Sequence, residues 1–339
     1  MAGGQAPPGT AAHFHGTGYG PMAERQAAVI TPLPPIHLPY SVRLRKLHHQ
    51  QPKVTVADVP LDRPVDLVVL ATKTTGATCR LQGREGVLTL RADPSLDVVP
   101  GRILTVKPDR VWAYKGNTFL SGERVANRLD VAALGLVPLA LDDWGPWDPK
   151  DEYWGDEGEP LARWARPIVA RGPRPSFELE ACLPGNDPED WDSDPIQEAI
   201  GHWNSGRRVE ALRLLEALCH ADLRCLDAHA HLGAFHCERR PARALLHYHV
   251  GVGIGRLSLG PDFDGVLPWG CLGNRPYLRC LHGAGLCLWR LGFFPEAKRV
   301  FERMLWMNPS DNQGVRFILP EVRAKRDWQD YTDEEEGRK

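Results

Sequence analysis

Residues 278–305 limit the possible folds more than any other part of the chain. Phe293, Phe294, Ala297, Val300, Phe301, Met304 and Leu305 return at three- and four-residue intervals, which places one apolar stripe along a helix. Leu278, Leu281, Gly285, Leu288 and Trp289 draw a second stripe just before it. Only Leu291-Gly-Phe-Phe294 separates the two, so the chain must reverse tightly. Gly292 is expected to take the left-handed cap, and Pro295 falls in the first turn of the second helix, where its missing amide hydrogen does no harm. Such a helical hairpin has two apolar flanks and needs neighbours to cover them.

Weaker copies precede it. Gly285, Ala297, Phe301 and Pro309 are spaced by 12, 4 and 8 positions. Ala199, Ala211 and Leu215 repeat the 12 and 4, with Asn204-Ser-Gly-Arg-Arg208 as the turn. Gly233, Ala244 and Tyr248 give 11 and 4, with Arg239-Arg-Pro241 as the turn. Ala211 and Ala244 lie 33 residues apart, and Ala244 and Ala297 lie 53 apart, which predicts an insertion of roughly 19 residues beyond a 34-residue period. Small residues at 285 and 297 let two backbones approach, Phe301 fills the space beside them, and Pro309 stops the helix.

This pattern resembles the tetratricopeptide repeat. The resemblance implies about three helical hairpins over 194–326, closed by a helix near Asn312–Lys325, with a polar tail at 327–339. The stretch 141–323 is also similar to bacterial tetratricopeptide proteins of uncharacterised function, through Ala170-Arg-Gly-Pro-Arg-Pro175, the acidic run 187–195, Leu223-Arg-Cys-Leu-Asp-Ala-His-Ala-His-Leu-Gly233 and Asn308-Pro-Ser-Asp-Asn-Gln-Gly-Val-Arg316. The family binds extended peptides on the concave face formed by the first helix of each pair. That implies a groove lined by His229 and His236, then Arg279, His282, Leu286 and Trp289.

Upstream the period changes. Residues 1–60 are rich in Gly, Ala, Pro and Gln without a sustained period and read as mostly disordered, with Met22 as an alternative start to Met1. A short basic run, Arg43 to Lys53, reads as solvated charge. Residues 61–140 read as a small antiparallel β-barrel or curled sheet. Val65-Asp-Leu-Val-Val-Leu-Ala71 is a β-rich run, Cys79–Arg91 alternates around a glycine turn, and Arg102–Lys107 and Arg110–Lys115 alternate with Pro108-Asp109 as the expected turn between them. Gly116-Asn117 and Ser121-Gly122 add turn signals. Val99-Pro-Gly-Arg-Ile-Leu-Thr-Val106 resembles the opening of SH3-like barrels, including those of RNA-associated proteins. Residues 141–193 carry eight acidic residues against one basic between Leu141 and Pro160, so a polar connector is expected. Trp144, Trp147, Trp154, Trp164 and Trp191 should pin it to the folded surface. Its acidic spacing matches no calcium loop. The fold class expected is therefore α+β.

The inserted loop, 256–277, is rich in Gly, Trp, Asn and Arg. Asp264, Trp269, Asn274 and Arg275 are candidates to present a ring and a polar fork to a partner, and the plain alternative is a loop folded down over the gap, with Trp269 as its plug. Cys219, His220, Cys225, His229, His231, His236, Cys237, His247 and His249 crowd one region. Cys225, His229 and His236 share a helical face, yet no CxxC pair or short chelate spacing is present, and buried structural roles explain the group without a metal. No G-x-S-x-G, H-E-x-x-H, P-loop or G-x-G-x-x-G opening a helix occurs, and Gly251-Val-Gly-Ile-Gly255 follows no strand.

These readings point to a non-enzymatic adaptor or scaffold that binds a protein or peptide through the groove and the 256–277 loop, with no cofactor. RNA or ribosome association through Arg102, Lys107, Arg110, Trp112, Tyr114 and Lys115 is the alternative, and an enzyme of unrecognised type is the third. With 41 basic residues against 43 acidic, the net charge of −2 gives no whole-chain case for a nucleic acid or membrane partner. No run of 18 apolar residues is present, and the first 35 residues lack a basic start followed by an apolar stretch. Eight cysteines without an export signal read as reduced thiols of the cytoplasm.

Overall fold

The computed structural model describes residues 52–92, 98–156, 158–186 and 194–337. Residues 1–51, with most of the expected disordered segment and Arg43–His49, lie outside the described residues. So do the acidic cluster at 187–193 and Trp191.

Five strands form a closed barrel: β1 (Val65–Lys73), β2 (Gly76–Leu81), β3 (Val87–Arg91), β4 (Ile103–Tyr114) and β5 (Asn117–Arg128). Their order is β1-β2-β3-β5-β4, with β4 pairing back onto β1. Among these five strands only β3 and β5 pair in parallel. Leu67, Val69, Cys79, Leu88, Leu90, Leu104, Val106 and Leu120 fill the interior.

The expected turn at Pro108-Asp109 is not one. β4 runs straight through it, and the register shifts between Pro108 and Arg110, so the two residues form a bulge. Ser121-Gly122 likewise lies inside β5, with Gly122 opposite Pro108. A side chain at Gly122 would overlap the Lys107 carbonyl, so the glycine serves close strand approach rather than a turn. The hairpin reverses instead at Lys115 and Gly116, at φ of 46° and 71°, a backbone matched to the twist of a two-residue β-hairpin.

The connector is partly regular. β6 (Leu141–Trp147) pairs with β7 (Arg174–Leu179) as a two-stranded antiparallel sheet, with α1 (Arg166–Arg171) between them. Trp147, Trp154 and Trp164 pack on the helical core, whereas Trp144 is exposed. Arg174 is buried with its guanidinium over the rings of Trp147 (5.2 Å) and Trp306 (4.3 Å), and it donates to the Trp306 carbonyl at 2.7 Å.

Helices α2 (Pro195–Asn204), α3 (Arg208–Ala221), α4 (Leu226–Cys237), α5 (Pro241–Leu259), α6 (Asn274–Arg290) and α7 (Phe294–Met307) form three hairpins. Each helix packs on the next, and α4 also packs on α6. Small residues set the crossings. Added side chains at Gly233 and Gly283 would enter the Tyr248 ring, and one at Gly285 would enter the ring of Phe301. Ala199, Ala211, Ala244 and Ala297 are fully buried. Gly292 has φ of 79°, Pro295 opens α7, and Pro309 follows its end.

The 53-residue spacing is absorbed in two ways. α5 extends to 19 residues, and a loop follows that is stitched to β7, where Val266 donates to the Pro175 carbonyl at 2.8 Å. The glycines of α5 lie within that helix. Gly251 and Gly255 admit Cys280 and Tyr277 of α6, and Gly253 faces Val131. α8 (Val315–Arg323) follows, and the tail expected to be a polar end is α9 (Trp328–Gly337). Its first turn docks Trp328 and Tyr331 on Trp289, at ring separations of 4.9 and 5.1 Å. Two aromatics on an otherwise acidic segment supply enough apolar area to seat it.

The barrel and the helices share a core. β1 is apolar on both faces: Leu67 and Val69 point inward, while Val68 and Leu70, with Ile103 of β4, join Leu214, Leu215 and Leu218 of α3. Among the described residues, no helix is long and apolar enough to cross a membrane.

Gly285→Ala should therefore destabilise the chain by about 1–3 kcal/mol, because the buried Phe301 ring must move and that outweighs alanine's better helix propensity. Gly201→Ala, exposed in α2 with nothing within 4 Å of the added carbon, should stabilise by up to about 1 kcal/mol. Urea unfolding of both variants reads the opposite signs.

Candidate functional site

The residues expected to bind a partner do not converge. Asn274 has no exposed surface. Its side chain accepts from the Leu179 amide (2.9 Å) and donates to the carbonyls of Phe177 (2.8 Å) and Pro268 (3.0 Å), clasping the loop to β7. Asp264 accepts from the Trp306 indole at 2.7 Å and pairs with Arg171 at 3.2 Å. The half-buried Trp269 lies under Arg275 and Arg279, with guanidinium carbons 5.4 and 5.8 Å from its ring. Arg275 also donates to the Trp269 carbonyl at 2.9 Å. The 256–277 segment is thus held against β7 and the neighbouring helices, with Asn274 buried and Asp264 and Arg275 bonded within the chain.

The expected groove fares similarly. Arg279 pairs with Asp227 at 2.9 Å. Trp289 is 1% exposed and donates to the Arg326 carbonyl at 2.8 Å, because α9 covers it. Burial pushes the His282 imidazole down to about 4. His229 is fully buried, with Nε2 3.1 Å from the Leu223 carbonyl, and burial pushes it down to about 4 as well. Cys219 Sγ lies 3.8 Å from that nitrogen, while His236 stacks on His247 at 5.7 Å. Among the described residues no three His, Cys, Asp or Glu side chains are grouped to hold a metal ion.

His236 belongs to a site that sequence reasoning missed. The β1–β2 hairpin overhangs α3 and the α4–α5 turn, leaving a cleft of about 530 Å³ lined by Thr72, Lys73, Arg213, Glu216, His236, Arg240 and Arg243. Glu216 is partly buried and accepts from the Thr72 amide at 3.1 Å and from the Thr72 hydroxyl. Burial raises its carboxyl above the usual range, opposed by those hydrogen bonds and by Arg243. Burial pushes the Lys73 ammonium the other way, and it donates to the Thr89 hydroxyl at 3.0 Å. Four side-chain cations and one carboxylate thus line the same cleft, and Arg243 is the cation whose charge reaches Glu216.

A smaller cleft of about 350 Å³ shares Leu212, His236 and Arg240 with the first. It adds Trp203 and Phe235, stacked at 4.1 Å with planes 4° apart, and Arg208 over the Trp203 ring at 5.2 Å. The two together offer a cationic trough ending in a flat aromatic step. This chemistry suits an anionic ligand with an apolar group a few ångströms away. Arg239 and Arg240 come from the hairpin turn before α5, Arg208 and Arg213 from α3 and Arg243 from α5, a meeting that no single stretch of sequence displays.

A five-stranded barrel sharing its core with three ordered helical hairpins defines the class of protein: a mixed α+β chain with a basic cleft at the junction. No family model matches the sequence, and no curated protein is significantly similar to it.

Beneath the cleft, His247 is buried with neither ring nitrogen hydrogen-bonded. Burial holds it neutral, reinforced by His229, His236 and Arg243. Since His229, His247 and His282 titrate lower folded than unfolded, the unfolded chain binds more protons below about pH 6.5. Stability should fall as pH drops from about 6.5 to about 4 and stay level just above. His247→Leu should make that fall shallower and add about 1 kcal/mol at pH 7, as an unpaired buried polar group is removed. Urea midpoints across pH check both; an unchanged slope with lower stability at pH 7 would contradict the account.

Proposed function

We propose that the protein is a non-enzymatic adaptor of the tetratricopeptide-repeat type that holds an acidic, extended segment of a partner protein in the cleft between barrel and helices. The observation that carries this reading is the local charge: Lys73, Arg213, Arg240 and Arg243 line one cleft that holds a single carboxylate, Glu216. Ordered hairpins with small residues against aromatics at Gly233/Tyr248 and Gly285/Phe301 support the repeat assignment. A carboxylate-bearing peptide would pair with the arginine forks and lay an apolar side chain on Trp203 and Phe235. The walls are built from packed helices and a barrel hairpin, so little ordering cost is expected on binding. The eight free thiols fit a reducing compartment such as the cytoplasm.

A fluorescein-labelled peptide alternating Glu with Trp and Leu tests this by anisotropy. Binding on the order of 10 μM in low salt is expected, weakening steeply as salt screens the trough. Arg213→Glu with Arg240→Glu should weaken it at least about tenfold. Equal affinity in that variant, with its fold intact by circular dichroism, would sink the reading.

One observation favours RNA as a second reading. On the barrel surface Trp112 and Phe119 stack at 5.6 Å with planes 14° apart, Arg110 lies over Trp112 (5.1 Å), Arg91 over Phe119 (5.4 Å) and Lys115 over Tyr114 (5.3 Å). Alternating cations and rings can hold phosphates and stack bases. Arg102 is not part of this face, since its guanidinium is bound to Asn127 at 2.8 and 3.0 Å. A single-stranded RNA 12-mer that binds the wild type and is lost in Trp112→Ala would favour it; RNA binding unchanged by that substitution would not.

A further inference from the structure

Six of the eight thiols, Cys79, Cys182, Cys219, Cys225, Cys271 and Cys280, are made less acidic, each chiefly by burial. The remaining two face each other across the second and third hairpins. Cys237 ends α4 and is half-buried; Cys287, three turns along α6, is fully buried. Their sulfurs are 3.7 Å apart. Arg290, one turn further along α6, donates to the Cys237 carbonyl at 2.9 Å and lies 3.8 Å from its sulfur. Its other nitrogen donates to the Glu238 carbonyl at 3.0 Å, and its guanidinium rests over Trp328 at 5.3 Å. The cation is thus fixed in place by the orphan carbonyls at the end of α4 and by α9.

We propose that Cys237 and Cys287 are a modification site: a thiol pair that a hydroperoxide converts to a disulfide joining the second and third helical hairpins. Cys237 is the attacking group because it is the one reached from solvent, beside the exposed turn Glu238–Arg240. The hydrogen bond from Cys287 and the charge of Arg290 draw its thiol down to about 6, against burial and the opposing charge of Glu238. Cys287 is driven upward by the same hydrogen bond and by burial, so it keeps its proton. Burial also raises the Tyr248 hydroxyl, which stays neutral nearby.

The Cys237 thiolate attacks the distal oxygen of the hydroperoxide. A sulfur–oxygen bond forms, the oxygen–oxygen bond breaks, and the leaving alkoxide takes a proton to become an alcohol or, from hydrogen peroxide, water. Cys287 then attacks the sulfenic sulfur: the disulfide forms, the sulfur–oxygen bond breaks, and hydroxide leaves with the Cys287 proton as water. Two thiols are oxidised by two electrons and one peroxide is reduced. Exchange with a dithiol returns the pair to its starting state. The sulfurs must close to about 2.05 Å, and Cys237 at a helix end has the freer backbone for that movement.

The test treats the full chain with one equivalent of hydrogen peroxide, alkylates the remaining thiols, and maps peptides without reduction. The expected result is a loss of about 2 Da, reversed by dithiothreitol, with the Cys237 and Cys287 peptides linked within one chain. In Cys287→Ser the reaction should stop at a Cys237 sulfenic acid that dimedone traps, and in Cys237→Ser peroxide consumption should slow at least about tenfold. Arg290→Lys should slow the first step while leaving the linkage the same. Oxidation falling first on any of the other six cysteines, or Cys237 ending as a sulfinic acid unlinked to Cys287, would overturn the proposal.

Discussion

The rest of the structure hangs on strand β1 being buried on both faces. Leu67 and Val69 close the barrel, while Val68 and Leu70, assisted by Ile103, lie against Leu214, Leu215 and Leu218 of α3. Removing each of these outer side chains from water contributes on the order of 2 kcal/mol. The same strand carries Thr72, whose amide and hydroxyl hold Glu216 of α3, so a polar tie sits at the end of the apolar one. At the other edge Gly101, with φ of 86°, lets the barrel meet Val250 of α5, where any side chain would collide. The β1–β2 hairpin is therefore fixed over the helices, and the cleft beneath it follows from that docking.

Within the helical part, glycine against a ring recurs as the packing device. Tyr248 fills the space left by Gly233 and Gly283, Phe301 that left by Gly285, and Tyr277 that left by Gly255. A helix gives up roughly 1 kcal/mol of propensity for each interior glycine, and the close approach it permits returns dispersion contacts over a whole aromatic face. The three glycines of α5 serve two neighbours at once, because residues two apart on a helix face opposite ways while residues four apart share a side.

Whole-chain charge gave little warning of the cleft. A net charge of −2 spreads acidic residues through the β6–β7 region and the C-terminal helix, while arginines of α3, α5 and the turn before α5 meet the barrel at one point. Local fields depend on where charges are brought together, not on their sum. The buried histidines behind the cleft reflect the same geometry: neighbouring cations and low polarity keep His247 neutral.

Local pattern was enough to mark a small barrel, β1, the helical hairpins, the left-handed cap at Gly292 and the small residues at Gly285 and Ala297, because each depends on neighbours within a few residues, whereas β5 was read only as turn signals. The unbroken run Leu67–Ala71 even held the sign of two-sided burial, since the other barrel strands alternate and this one does not. What the sequence misassigned depended on distant partners. Pro108-Asp109 is a bulge because Gly122 lies opposite it. Asn274 and Trp289 are buried because β7 and α9 cover them, and the α9 tail is seated because Trp328 finds Trp289. The cleft itself joins residues 72–77 to residues 209–243, a meeting that only the shared core of β1 and α3 decides, because no periodicity in a single chain records which of its faces will touch.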